Sequence, residues 1–196
     1  MKPRIFEIVL FSFILTMNVT SKEDTKPTAG LEVGTKAPAF EALDENGRLW
    51  KSTDVVGKKY LVVYFYPAAM TGGCTKQACA FRDHKKELQQ LGADVVGVSG
   101  DEVKNLQYFK RTQNLNFTLL SDAEGKIAKK FGVPTRQGGS IVRTIDGKEV
   151  TLRRNITTSR WTFIIGKDGT IIYRNTKVNA GQDSEQVLNF LKNLAK

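Results

Sequence analysis

The chain has 196 residues and 21.8 kDa, with 40% hydrophobic and 26% charged residues, which is room for one ordinary domain and the balance of a globular protein rather than a disordered or collagen-like one. Two cysteines, Cys74 and Cys79, are too few for a disulfide scaffold or a multi-cysteine zinc module, and a single histidine, His84, excludes chemistry that needs two. The 30 Lys and Arg against 20 Asp and Glu give a net charge of +10, but they are scattered, with no dense basic run and no aromatic-interleaved stripe, which argues against a nucleic-acid partner.

Lys2 and Arg4 precede an apolar run from Ile8 to Met17, followed by polar and small residues up to Ser21. A basic start and a short apolar stretch describe a secretory signal over residues 1–21, and the run is too short for a membrane-spanning helix. An uncleaved N-terminal anchor is the alternative. Removal of residues 1–21 takes away Lys2, Arg4 and Glu7 and leaves 28 basic against 19 acidic residues, so the basic excess belongs to the domain itself. Residues 22–31 read as a linker and residues 32–196 as the domain. The expectation is an exported, periplasmic or secreted protein with no membrane span once the signal is gone.

Phe40–Lys51, turning at Glu45-Asn46-Gly47, predicts a hairpin. Tyr60–Tyr66 (YLVVYFY) is a continuous apolar run of β-formers, which fits a strand buried on both faces, and Pro67 stops it. From about Cys74 to Leu91 the apolar residues Cys74, Ala78, Phe81, Leu88 and Leu91 recur along one helical face. Ala93–Ser99 predicts a second strand, Asp101–Thr112 a helix, Phe117–Leu120 a third strand, and Ala123–Phe131 a helix stopped by Gly132 and Pro134. Ile141–Ile145 and Lys148–Leu152 flank Asp146-Gly147 and predict an extra hairpin. Trp161–Ile165 and Thr170–Tyr173 are strands joined at Lys167-Asp168-Gly169. A last helix runs from Ser184 to Leu194, with Asp183 and Gln186 spaced as a capping box. Strands alternating with helices, then a hairpin and a closing helix, give an α/β fold with a mixed central sheet flanked by helices.

The chemistry points to Pro67–Cys74 (PAAMTGGC). A cysteine there opens a helix beyond the C-terminal end of a buried strand, where ligand sites of open α/β sheets lie. Its sulfur meets the positive end of the helix dipole and unpaired backbone N–H groups, a setting that favours a thiolate. His84 is ten residues away, about 15 Å along the helix, so it cannot activate Cys74. A buried structural thiol is the plain alternative. Cys79, five residues on, would have its Cα about 8.6 Å from that of Cys74 in an intact helix. That exceeds the roughly 7 Å a disulfide allows. Either the two never pair or the helix unwinds locally. The Cys-x-x-Cys spacing of dithiol oxidoreductases is absent, and Cys74, Cys79 and His84 point in different directions around one helix, which disfavours a metal site.

The pattern Pro67-x-x-x-Thr71-x-x-Cys74 resembles the peroxiredoxins, and CTKQACAFRD resembles their branch called bacterioferritin comigratory protein or peroxiredoxin Q. The similarity extends through GTKAPAFEALDENGRLW, KKYLVVYFYP, NFTLLSDAEGKIAKKFGV and SRWTFIIGKDGTIIYR, over about residues 32–195. It implies a thioredoxin-like fold that reduces hydrogen peroxide and organic hydroperoxides without metal, haem or flavin. By resemblance Cys74 is the peroxidatic cysteine, Thr71 holds the peroxide by hydrogen bonds, Arg160 lies beside the thiolate, Pro67 shapes the pocket, and Cys79 resolves the sulfenic acid. A thioredoxin-like dithiol then recycles a monomer or weak dimer.

Three features depart from the branch. Gln77 stands where glutamate is usual, Ala68-Ala69-Met70 makes the loop more apolar, and the Ile141–Leu152 hairpin is long. A solvated insertion is the simpler reading of that hairpin; covering the site or meeting a partner are the others. Arg153 and Arg154 compete with Arg160 for the thiolate, and Arg160 is preferred because it abuts a core strand. Arg82 and Asp83 read as a surface ion pair. A non-enzymatic thioredoxin-fold binding module and a protein thiol–disulfide oxidoreductase are the competing functions.

Overall fold

The computed structural model describes residues 30–195. The signal expected over residues 1–21 and most of the linker lie outside them. Leu31 already belongs to the fold, its amide donating to the Phe131 carbonyl at 3.1 Å.

A seven-stranded mixed sheet is built from β1 (Glu41–Asp44), β2 (Leu49–Lys51), β3 (Tyr60–Phe65), β4 (Ala93–Ser99), β5 (Thr118–Ser121), β8 (Trp161–Ile165) and β9 (Ile171–Asn175), in the order β2-β1-β5-β4-β3-β8-β9. Strands β3, β4 and β5 are parallel, while β8 runs antiparallel to β3 and β9 to β8. The parallel connections are made by helices α1 (Gly72–Gln90) and α2 (Val103–Thr112); α3 (Lys126–Phe131) and α4 (Asp183–Leu194) complete the layers. The remaining strands, β6 (Thr135–Ile145) and β7 (Lys148–Thr158), pair only with each other.

Because side chains alternate along a strand, β3 feeds two cores. Val62 and Tyr64, with Tyr66 just past its end, pack with Phe81 and Leu88 of α1, Leu106 and Phe109 of α2, and Val187, Leu188 and Leu191 of α4. Leu61, Val63 and Phe65 face Val96, Val98, Ile127, Phe131, Phe163 and Ile165 on the other side. Each fully buried aromatic or aliphatic side chain contributes about 1.5–3 kcal/mol, so β3 anchors the molecule from its centre. The Phe81 ring stacks on Tyr64 with centroids 4.8 Å apart.

The mixed sheet, helix order and hairpins follow the sequence expectation, with four local corrections. α2 begins at Val103 because Asp101 is occupied in buried hydrogen bonds. α3 begins at Lys126 because Gly125 adopts φ +71°, and the Asp122 carboxylate caps the helix by accepting from the Ile127 and Ala128 amides. The capping box at Asp183 and Gln186 does not form. Gln182 is the N-cap, and Asp183 turns inward to be fully buried. The extra hairpin is much longer than Ile141–Leu152, closing at Asp146-Gly147 with φ values of +53° and +75°. Within Ile141–Leu152 most residues are solvent-exposed, as a solvated insertion would be, while Ile145 and Leu152 are buried and the base of the hairpin packs on the fold. Its backbone passes so close to the end of β4 that a Cβ at Gly100 would lie 2.3 Å from the Ile156 carbonyl oxygen, so only glycine fits there.

Candidate active site

β3 ends at Phe65, and the Tyr66 amide still bonds to the Val98 carbonyl at 3.1 Å, which delivers Pro67 to the C-terminal edge of the sheet. The loop 67–71 then turns into α1. Thr71 is the extended N-cap residue, and the first helical bond runs from the Thr75 amide to the Thr71 carbonyl. The amides of Gly72, Gly73 and Cys74 precede that bond and carry the positive end of the helix dipole.

Cys74 is 1% exposed and its thiol is free. Arg160, immediately before β8, donates its Nη2–H to the Cys74 sulfur at 3.3 Å. The guanidinium reaches the sulfur past Gly73, where a Cβ would sit 3.3 Å from Nη2. Its Nη1 donates to the Gln77 side-chain oxygen at 2.5 Å. Gln77 in turn donates Nε2–H to Asp183 Oδ2 at 2.7 Å, and the Thr162 hydroxyl donates to the same oxygen at 2.7 Å. Burial pushes the Asp183 carboxyl up from its ordinary value, opposed by the hydrogen bonds from Thr162 and Gln77 and by the Arg160 charge. Tyr64 and Tyr66 are fully buried in the same region, and desolvation holds both phenols protonated.

The remaining expected site residues are dispersed around this pair. The Thr71 hydroxyl donates to the Ala68 carbonyl at 2.8 Å. Pro67 borders a cleft with Pro134, Thr135 and Thr158, and the Thr158 hydroxyl donates to the Tyr66 carbonyl at 2.9 Å. Cys79 is partly exposed on the flank of α1 that faces the end of α2, its thiol 3.7 Å from Gln113 Oε1. Both cysteines lie within the unbroken helix, so the separation computed for an intact helix applies. His84 meets the Ser184 hydroxyl at 2.9 Å and stands apart from Cys74. Arg82 and Asp83 pair at 2.9 Å, and Arg82 also bonds the Gln113 carbonyl.

One group was missed in the sequence, and another takes a different role. Asp101, fully buried at the end of β4, accepts from the Ala69 amide at 2.7 Å and so fixes the loop before Cys74. Arg154, weighed above as a competitor for the thiolate, instead donates Nε–H to Asp101 at 3.1 Å, while Asn105 donates to the same carboxylate at 3.1 Å. The hairpin tip also touches the loop: Arg143 donates Nε–H to the Met70 carbonyl at 2.8 Å, and Met70 has φ +62°. No motif marks these contacts, because they join residues far apart in sequence.

A buried sulfur at a helix start under a fixed guanidinium, on a thioredoxin-like α/β sheet, defines a thiol enzyme. The AhpC/TSA family pattern matches residues 33–174. The putative peroxiredoxin bcp of Haemophilus influenzae is 39% identical over 164 residues, covering 84% of this chain and 98% of that protein. The chloroplastic peroxiredoxin Q of Populus jackii is 37% identical, covering 84% and 71%. Among solved structures, peroxidoxin BcpB of Mycobacterium tuberculosis superposes with a TM-score of 0.69 at 32% identity, covering 84% of this chain and 98% of that one. The chain therefore belongs to the AhpC/TSA family, in its Bcp and peroxiredoxin Q branch of thiol-dependent peroxidases.

Proposed function

We propose that Cys74 is the peroxide-reactive cysteine and Cys79 its resolving partner. What supports this reading above all is the Arg160 guanidinium 3.3 Å from the buried Cys74 sulfur. The Cys74 thiolate attacks the proton-bearing oxygen of a hydroperoxide. The S–O bond forms as the O–O bond breaks, the sulfur is oxidised to a sulfenic acid, and the leaving oxygen departs as an alcohol or water after taking up a proton. Arg160 and the amides at the start of α1 stabilise the negative charge that passes from sulfur to leaving oxygen. The Thr71 hydroxyl has its proton committed to Ala68, so its lone pairs accept the O–H of the hydroperoxide. Pro67 holds the loop at the strand end.

The Cys79 thiol then condenses with the sulfenic acid, giving a disulfide and one water, after the first turns of α1 unwind to bring the sulfurs together. A thioredoxin-like dithiol reduces that disulfide by exchange and is itself oxidised. The enzyme acts as an exported monomer or weak dimer, its residues 1–21 removed on export; N-terminal sequencing of the cell-envelope fraction and sedimentation of the purified chain test these two points.

One equivalent of peroxide, followed by mass-spectrometric mapping of the cysteines, tests the chemistry. A Cys74–Cys79 disulfide is expected. Survival of both thiols overturns the assignment, and a sulfinic Cys74 beside a free Cys79 removes Cys79 from the resolving role.

A further inference from the structure

Arg160 carries the charge that faces Cys74, yet no carboxylate touches its guanidinium among the described contacts. The group that orients it is a neutral amide. Gln77 can offer its oxygen to Arg160 only if its NH2 points the other way, and what lies there is Asp183 Oδ2. The acceptor character of Asp183 thus fixes the rotamer of the Gln77 amide, because a flipped amide would aim its N–H groups at the Arg160 N–H groups and its oxygen at a carboxylate oxygen. Thr162, on β8, ties Asp183 into the sheet from the other side.

We infer that Asp183 is a positioning residue for the peroxidase reaction, acting through Gln77 to hold the Arg160 guanidinium on the Cys74 sulfur. The placement of the negative charge is the point of the arrangement. Where the branch usually has a glutamate, this chain puts a neutral amide on Arg160 and sets the carboxylate behind it. Set one amide further away, it orients the arginine and leaves the cation to the sulfur. Asp183 Oδ1 is buried and has no partner among the described residues, so the carboxylate is spent on this chain of bonds rather than on a structural ion pair. The titratable and charged groups that share the region are Tyr64 from β3, Tyr66 just past its end, Tyr173 from β9, Cys79 from α1, Asp101 beyond β4 and Arg160, with His84 meeting the neighbouring Ser184; Arg160 is the cation that acts on Asp183.

The inference rests on Cys74 being the reacting sulfur, and its test reads the thiolate directly, without peroxide. In a Cys79→Ser background the ultraviolet absorbance of the Cys74 thiolate is followed against pH. Asp183→Ala releases Gln77, and the pH at which the thiolate forms is expected to rise by about one unit, the scale of one lost charge-assisted contact. Asp183→Asn can keep its carbonyl toward Gln77 and Thr162 and is expected to restore most of the shift. If Asp183→Ala does not fold, Gln77→Met cuts the same link while filling the space, and the same upward shift is expected. An unmoved midpoint in the variant that folds overturns the inference. Failure of the wild type to consume peroxide, with the midpoint shift intact, overturns the peroxidase assignment of Cys74 and leaves the positioning contact standing.

Discussion

Arg143, near the tip of the β6–β7 hairpin, donates to the carbonyl of Met70, two residues before α1 begins. A second arm of the hairpin, Arg154, reaches Asp101, which holds the Ala69 amide of the same loop. The hairpin is therefore tied to the segment that must loosen before Cys79 can approach Cys74. Arg143→Ala removes one tie, worth about 1 kcal/mol, and is expected to raise the unwound population about fivefold. The variant should accumulate less sulfinic Cys74 at high peroxide, because resolution outpaces further oxidation. Mass spectrometry of the oxidised protein checks it; unchanged or greater sulfinic acid would sink the idea.

Gly73→Ala separates stability from activity. In a helix Ala is favoured over Gly by up to about 1 kcal/mol. The new Cβ, however, would lie 3.3 Å from Arg160 Nη2, so the guanidinium must give way. The expected outcome is an unchanged or raised Tm together with kcat/KM lowered about tenfold. A fall in both would show that the helix, and not the arginine, is disturbed.

Arg154→Leu leaves the Asp101 carboxylate buried without its cation, both partners being almost wholly enclosed. Removal of one member of a buried pair costs about 3–5 kcal/mol. Urea denaturation should register that loss, and a change below about 1 kcal/mol would mean that Asn105, the Ala69 amide and the Ser99 hydroxyl, which donates to Asp101 at 3.1 Å, satisfy the carboxylate without the arginine.

Asp183→Asn should stabilise the chain at neutral pH. The folded-state pKa of Asp183 is raised above the ordinary 3.8 by burial, so its ionised form is costlier in the folded chain than in the unfolded one. That cost is absent below the unfolded value and complete above the folded one. The stability advantage of the variant is therefore expected near pH 7 and should vanish below about pH 4, where the wild-type carboxyl is protonated in both states. Melting curves at the two pH values decide it; an advantage that persists in acid would implicate packing rather than charge.

The helix carrying Cys74 and Cys79 and the central strand that delivers it were legible because each rests on local pattern: hydrophobic period, Pro and Gly punctuation, and a motif within eight residues; Arg160, 86 residues from Cys74, came instead from the family resemblance and its place before a core strand. Asp183 was misread for an equally local reason. Its spacing from Gln186 imitates a cap, whereas the partner that claims it, Gln77, is 106 residues away. Arg154 was weighed for the wrong carboxyl-free role because nothing in the run Arg153-Arg154 says which side of the strand faces β4. The hairpin's length was underestimated since Gly138, Gly139 and the polar residues around them read as loop until cross-strand pairing is counted.

Met70 gives the loop a direction. A non-glycine residue at φ +62° carries about 1–2 kcal/mol of backbone strain, and unwinding the start of α1 would let it relax. The Arg143 bond to the same residue's carbonyl pulls the opposite way. In the proposed cycle the wound state would act as a latched spring: oxidation of Cys74 would need to supply only enough to release the catch, and reduction would re-cock it before the next peroxide is met.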